Sequence, residues 1–146
     1  MKKIICITAI LSAVVMLTAC CGFVGNEGNP GGIVDNVKIL EGKTSYKYTD
    51  RDMEEAIQTI KDYFENNFGG CTLIELEYAG DYVSRQEGGW AKKNDTDEII
   101  VFTSSFYVDS SGGDGSLEAN YTYENWSWIL VRSKGGSWEH ADHGML

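Results

Sequence analysis

Thr49-Asp-Arg-Asp-Met-Glu-Glu-Ala-Ile-Gln-Thr-Ile-Lys-Asp-Tyr-Phe-Glu-Asn-Asn-Phe-Gly-Gly70 is the stretch on which the fold turns. Met53, Ala56, Ile57, Ile60, Phe64 and Phe68 recur at spacings of mainly three and four, which lays one apolar stripe along a helix. Thr49 or Asp50 can cap its start, and Asp52, Glu54 and Glu55 suit the positive end of the helix dipole. Gly69-Gly70 predicts the stop, because glycine accepts the left-handed conformation that ends helices. A helix with one apolar face needs a partner layer, and the rest of the chain has to supply it.

Strand signals follow the helix. Thr72 to Ala79 predicts one strand, and Asp81 to about Thr96 reads as a long polar connection. Glu98 to Val108 is rich in β-formers, with Ile100, Phe102, Phe106 and Val108 on one side and Ile99, Val101 and Tyr107 on the other. Both sides are apolar in its first half, so cover is expected on both. Asp109 to Ser116 is a loop by composition, and Tyr121 to Arg132 is the next strand. By simple alternation Trp126 and Trp128 share a face with Leu130, while Tyr121, Tyr123 and Ile129 take the other. Ser133-Lys-Gly-Gly136 reads as a tight turn that brings Ser137 to Asp142 back as a hairpin. One helix followed by an antiparallel sheet whose apolar face it covers is an α+β domain, assigned to residues 46–146.

Upstream of the domain, Cys21 to about Ser45 holds six glycines, three asparagines and Pro30, the one proline of the chain. Residues 20–45 read as a flexible tether, whose reach follows about 5–6 Å × √n, or about 25–30 Å here. Within it, Ile33 to Leu40 is a candidate short strand or docking segment.

Residues 1–19 have a different character. Lys2 and Lys3 precede 16 uncharged residues, Ile4 to Ala19, fewer than the roughly 20 a membrane-spanning helix needs. A basic start, a short apolar run and small residues before a cut site describe an export signal. Leu17-Thr18-Ala19-Cys20 resembles a bacterial lipobox, in which an apolar residue and two small ones precede the cysteine that receives diacylglycerol. The resemblance implies signal-peptidase recognition through Leu17, Thr18 and Ala19, and lipidation of Cys20 with acyl chains such as palmitate. Lipid transfer requires the thiol, and small residues fit the peptidase cleft. A retained signal anchor and an ordinary cleaved signal are the alternatives. At about 0.8 kcal/mol per buried CH₂, the two or more chains of a diacylglyceryl cysteine hold a protein firmly to a membrane. The expected location is the extracytoplasmic face of a cell membrane.

The 146 residues carry a net charge of −10, and without the signal 10 basic residues face 22 acidic ones. Such acidity argues against nucleic acid as a partner. Of the four cysteines, Cys6 leaves with the signal and Cys20 takes lipid. Cys21 and Cys71 have no evident reason to pair, and Cys71, at the start of a predicted strand, reads as a small core residue.

Several stretches carry a further resemblance: Tyr48-Thr-Asp-Arg-Asp-Met-Glu-Glu-Ala-Ile57, Phe64-Glu-Asn-Asn-Phe-Gly-Gly-Cys-Thr-Leu73, Tyr78-Ala-Gly-Asp81, Asn125-Trp-Ser-Trp-Ile-Leu-Val-Arg132 and Trp138-Glu-His-Ala-Asp-His-Gly144. Together they look like a family of uncharacterised bacterial lipoproteins. The order of helix, curved sheet and final Trp-x-x-x-x-x-Gly strand resembles the cone-shaped cystatin-like folds of the nuclear-transport-factor-2-like (SnoaL-like) superfamily. The resemblance implies a concave sheet wrapped around the helix and, in that superfamily's enzymes, an Asp, His or Tyr acting as acid or base inside the cone.

Candidate chemistry is sparse. Asp81, Glu98 and His140 are the polar groups that would form an acid–base site if the sheet encloses a pocket. Asp109, Asp114 and Glu118 could offer oxygens to calcium, although their spacing departs from the EF-hand loop. His140, Asp142 and His143 are possible transition-metal ligands, with His140 and Asp142 predicted on one strand face and His143 on the other. No third ligand is evident on the face predicted to carry His140 and Asp142, and neither a metal nor a cofactor is assigned. The paired tryptophans read as core or as the wall of a ligand pocket. The chain has no phosphate-binding glycine loop, no Gly-x-Ser-x-Gly and no His-Glu-x-x-His. The leading expectation is a non-enzymatic binding domain for a protein or small molecule. A small SnoaL-like hydrolase or isomerase and a calcium-dependent surface module are the alternatives.

Overall fold

The computed structural model describes residues 31–41 and 43–145, so the expected signal, the expected lipobox and Cys20 lie outside the described residues. The elements run in the order β1 (Lys38–Leu40), α1 (Asp50–Asn67), β2 (Cys71–Tyr78), α2 (Asp81–Gln86), α3 (Gly89–Lys93), β3 (Glu98–Val108), β4 (Tyr121–Arg132) and β5 (Glu139–Met145). The strands form one five-stranded sheet in the order of the chain. The fold is α+β, but the sheet is mixed: β1 pairs parallel with β2, while β2 to β5 are antiparallel. A parallel pair needs a crossover, and α1 is that crossover, which commits it to one face of the sheet.

Helix α1 begins with a reciprocal cap. The Asp52 N–H donates to Thr49 Oγ1 at 3.2 Å, and the Thr49 N–H donates to Asp52 Oδ2 at 2.8 Å. Phe68 is the C-cap, and Gly70 at φ 75° carries the chain out of the helix into β2. Ala56, Ile60 and Phe64 are fully buried and Phe68 is nearly so, while Met53 and Ile57 pack at the margin of the same cluster. Opposite them lie Leu73 and Leu76 of β2, Ile100, Phe102 and Phe106 of β3, and Trp128 and Leu130 of β4. Each such side chain contributes about 1.5–3 kcal/mol by leaving water.

The predicted polar connection between Asp81 and Thr96 is instead two short helices. Ala91 of α3, with Val83 and Trp90, covers Ile99, Val101, Ile129 and Val131 on the second face of the sheet. Few apolar residues at helical spacing announce these helices, whose formation depends on the face they cover.

The glycine-rich stretch also joins the sheet in part. Ile33 bridges Thr72 and Lys38–Leu40 pairs with β2. Gly31 and Gly32 lie against the end of α1, where the Gly32 N–H donates to the Glu65 carbonyl at 3.0 Å. A Cβ on Gly32 would sit 2.6 Å from Phe64, so these two glycines serve close approach and not chain freedom.

Three one-residue bulges break the alternation of the strands. In β2 one extra residue, Ile74, separates Leu73 from Glu75 where the β3 partners Phe106 and Ser105 are adjacent. In β4 the shift falls between Trp126 and Tyr123, and in β5 it falls at Ala141. Each bulge moves all side chains beyond it to the other face relative to a regular strand.

Candidate functional site

The bulge in β4 is built around Asn125, a non-glycine residue at φ 55°. Asparagine tolerates this left-handed conformation better than most residues. Tyr123 therefore turns to the same face as Trp126 and Trp128, and its ring stacks on Phe106 with centroids 5.2 Å apart. This corrects the alternation predicted from sequence, which put Tyr123 with Ile129.

The bulge at Ala141 acts likewise on the histidines. His140 pairs with Leu130 and His143 with Trp128, so both rings face α1, while Asp142 pairs with Ile129 on the opposite face. The predicted pairing of His140 with Asp142 is reversed. His143 Nδ1 and His140 Nε2 are 3.0 Å apart, and the His140 ring stacks on Tyr63 at 3.7 Å between centroids. Burial pushes the pKa of His140 down to about 4, with its histidine neighbour adding to the effect, and burial lowers His143 as well. Both rings are neutral at pH 7.

A hollow of about 300 Å³ opens beside this pair, between the end of α1, the 113–117 loop and β4. Tyr63, Phe68, Trp126 and His143 supply its aromatic lining, and Asn67, Asp114 and Ser116 are among its polar groups. Among the described residues Trp126 Nε1 is buried without a hydrogen-bond partner. Cys71 also lines this hollow; its thiol is pushed up to about 11, first by burial and then by Asp109 and Asp114. That leaves it a weak nucleophile, consistent with a core role.

Asp81, Glu98 and His140 are engaged in separate networks. Asp81 accepts from Ser45 Oγ at 2.6 Å, Tyr78 Oη at 2.6 Å and the Tyr46 N–H at 2.8 Å. The bonds from Ser45 and Tyr78 hold its pKa below the usual carboxylate range. Burial, together with the bond to Asp81, raises Tyr78 to about 12. Glu98 accepts from Arg132 Nε at 2.6 Å, and the other side of that guanidinium reaches Asp52 Oδ1 at 2.7 Å. Arg132 also lies over the Trp138 ring, 4.2 Å from its centroid. Asp52 falls to about 2, chiefly through its bonds from Thr49 and further through Arg132. His140 belongs to the aromatic cluster already described. An acid–base pair needs its members within reach of one substrate, and these candidates have other partners.

The calcium candidates do not converge either. Asp109 accepts from the backbone and hydroxyl of Ser111, Asp114 does the same with Ser116, and the Glu118 N–H donates to Tyr123 Oη. These are local turn bonds. Among the described residues no group of three or more His, Cys, Asp or Glu side chains is arranged to hold a metal ion. No helix among them is long and apolar enough to cross a membrane.

Sequence reasoning missed Tyr63 and Arg132. Tyr63 lies three residues after Ile60, so widening the helical stripe by one position would have included it. Arg132 ends the apolar run Ile129-Leu-Val131, and a charge in that place signals a buried ion pair. No protein-family model, no curated protein and no solved structure matches this chain.

Proposed function

We propose that this chain is an extracytoplasmic lipoprotein, tethered through Cys20, whose folded part binds a partner or small ligand instead of turning over a substrate. We also propose that α1 on its bulged sheet is a cystatin-like roll of the SnoaL-like kind, in a lipoprotein family. One observation carries the binding reading: the space between helix and sheet is filled by Phe64, Phe102, Phe106 and Trp128, each under 2% exposed. A cone packed in this way leaves surface hollows as the places for recognition. The bulges in β2, β4 and β5 favour the curved roll, since bulges bend and twist a sheet. The anchor rests on Leu17-Thr18-Ala19-Cys20.

Mass spectrometry of the mature protein tests the anchor. The wild-type N-terminus is expected to be a diacylated Cys20, and a Cys20→Ser chain is expected to remain unprocessed or unacylated. A Cys20→Ser chain that matures and partitions into detergent like the parent would end the lipoprotein reading.

A further inference from the structure

The hollow at the end of α1 combines features that suit one class of ligand, and we propose that it binds a small organic cation carrying a trimethylammonium group. This deepens the binding reading of the domain and is independent of the lipid anchor.

The walls come first. Phe68 and Trp126 meet with ring centroids 6.3 Å apart at 89°, and Tyr63 and Phe68 stand 6.5 Å apart at 62°. All three border the hollow; one face of each ring is taken, by His140 on Tyr63, Phe64 on Phe68 and His143 on Trp126, which leaves the other face or the edge to the hollow. The negative ring face attracts a cation within about 6 Å of its centroid. Several rings around one space are the arrangement that recognises methylated ammonium groups.

Charge points the same way. Asp114 lines the hollow, and hydrogen bonds from Ser116 favour its ionised form. His143, which lines the hollow, and His140, stacked on Tyr63, both have their pKa lowered by burial and do not compete as cations at neutral pH. The acidic chain, at −10, raises the local concentration of cations.

Chemistry then separates an alkylated ammonium from a metal ion. Aromatic walls cannot replace the water shell of a hard cation, which wants six or more oxygens. A trimethylammonium group is apolar at its surface and loses little on leaving water. The volume of about 300 Å³ suits a small ligand of this kind.

Choline titrated against the mature protein, in a polyoxyethylene detergent and followed by tryptophan fluorescence and calorimetry, tests the proposal. The neutral isostere 3,3-dimethyl-1-butanol is the control for shape alone. Choline is expected to bind saturably and at least about tenfold more tightly than the isostere. Trp126→Leu is expected to weaken choline about tenfold and Trp126→Phe much less, because an aromatic face is retained. Asp114→Asn, a surface change that leaves the packing intact, is expected to weaken it about two- to fivefold. Glycerophosphocholine separates the sources of the group. Tighter binding than choline identifies a lipid headgroup, weaker binding identifies a free solute, and either upholds trimethylammonium recognition. Equal affinity for choline and the isostere, or no response to choline, overturns the proposal. Saturable binding of maltose without a response to choline also overturns it, while the binding reading of the domain stands.

Discussion

The ring of Tyr63 lies flat against that of His140, 3.7 Å between centroids, and ties the long helix to the last strand. His143 completes the contact from the same strand face. Protonating either histidine puts a charge into a half-buried aromatic cluster. Both folded pKa values lie below the ordinary histidine value of 6.5, that of His140 at about 4. A depressed folded pKa gives stability that is complete above the unfolded value and lost as pH falls through the folded one. Urea midpoints are therefore expected to fall between pH 6.5 and 4. The double variant His140→Gln/His143→Gln is expected to flatten that window. Asp52, lowered to about 2, acts in a separate window below its ordinary 3.8. An unchanged slope between pH 6.5 and 4 in the double variant would count against this account.

Arg132 holds Asp52 at 2.7 Å and Glu98 at 2.6 Å with its own side chain only 8% exposed. Removing the guanidinium leaves two carboxylates without their cation. Arg132→Ala is expected to cost about 3–5 kcal/mol, read from chemical denaturation. Arg132→Lys restores the charge but not the two-sided geometry and should recover only part of the loss.

Asn125 provides the left-handed residue of the β4 bulge. Asn125→Gly should be tolerated, whereas Asn125→Ala should destabilise by about 1–2 kcal/mol. Removing the bulge would turn Tyr123 away from Phe106, so tyrosine and tryptophan emission should change together with stability. Equal stability of the glycine and alanine variants would show that the conformation is not under strain.

Gly32 lies against the Phe64 ring. Gly32→Ala is expected to displace the segment that leads to β1 and to cost about 1–3 kcal/mol. Hydrogen exchange should show faster exchange at Ile33 and Leu73, whose amides donate to the Cys71 and Ile33 carbonyls. Neutral behaviour of Gly32→Ala would mean that the close approach is easily relieved.

Much of this architecture could be read along the chain. The α1 stripe, its Thr49 cap, the Gly69-Gly70 stop, the two long strands and the closing hairpin all match. So does the double-sided cover of β3, visible as apolar residues on both of its faces. These features are local: a helix or strand writes its period into residues three, four or two apart. The candidate site was less legible. Trp126 drew notice, but its grouping with Tyr63 and His143 joins the last two strands to a helix far from them in sequence.

The sequence by itself determined the main helix, the strands, their turns and the acidic balance, because each follows from neighbouring residues or from a simple count. Tertiary structure alone decided that Gly31 and Gly32 pack on α1, that Lys38–Leu40 enters the sheet in parallel, and that His140 and His143 share a face. Those outcomes turn on register. One extra residue in a strand reverses every side chain beyond it, and which residue is extra is chosen by the partner strand across the sheet.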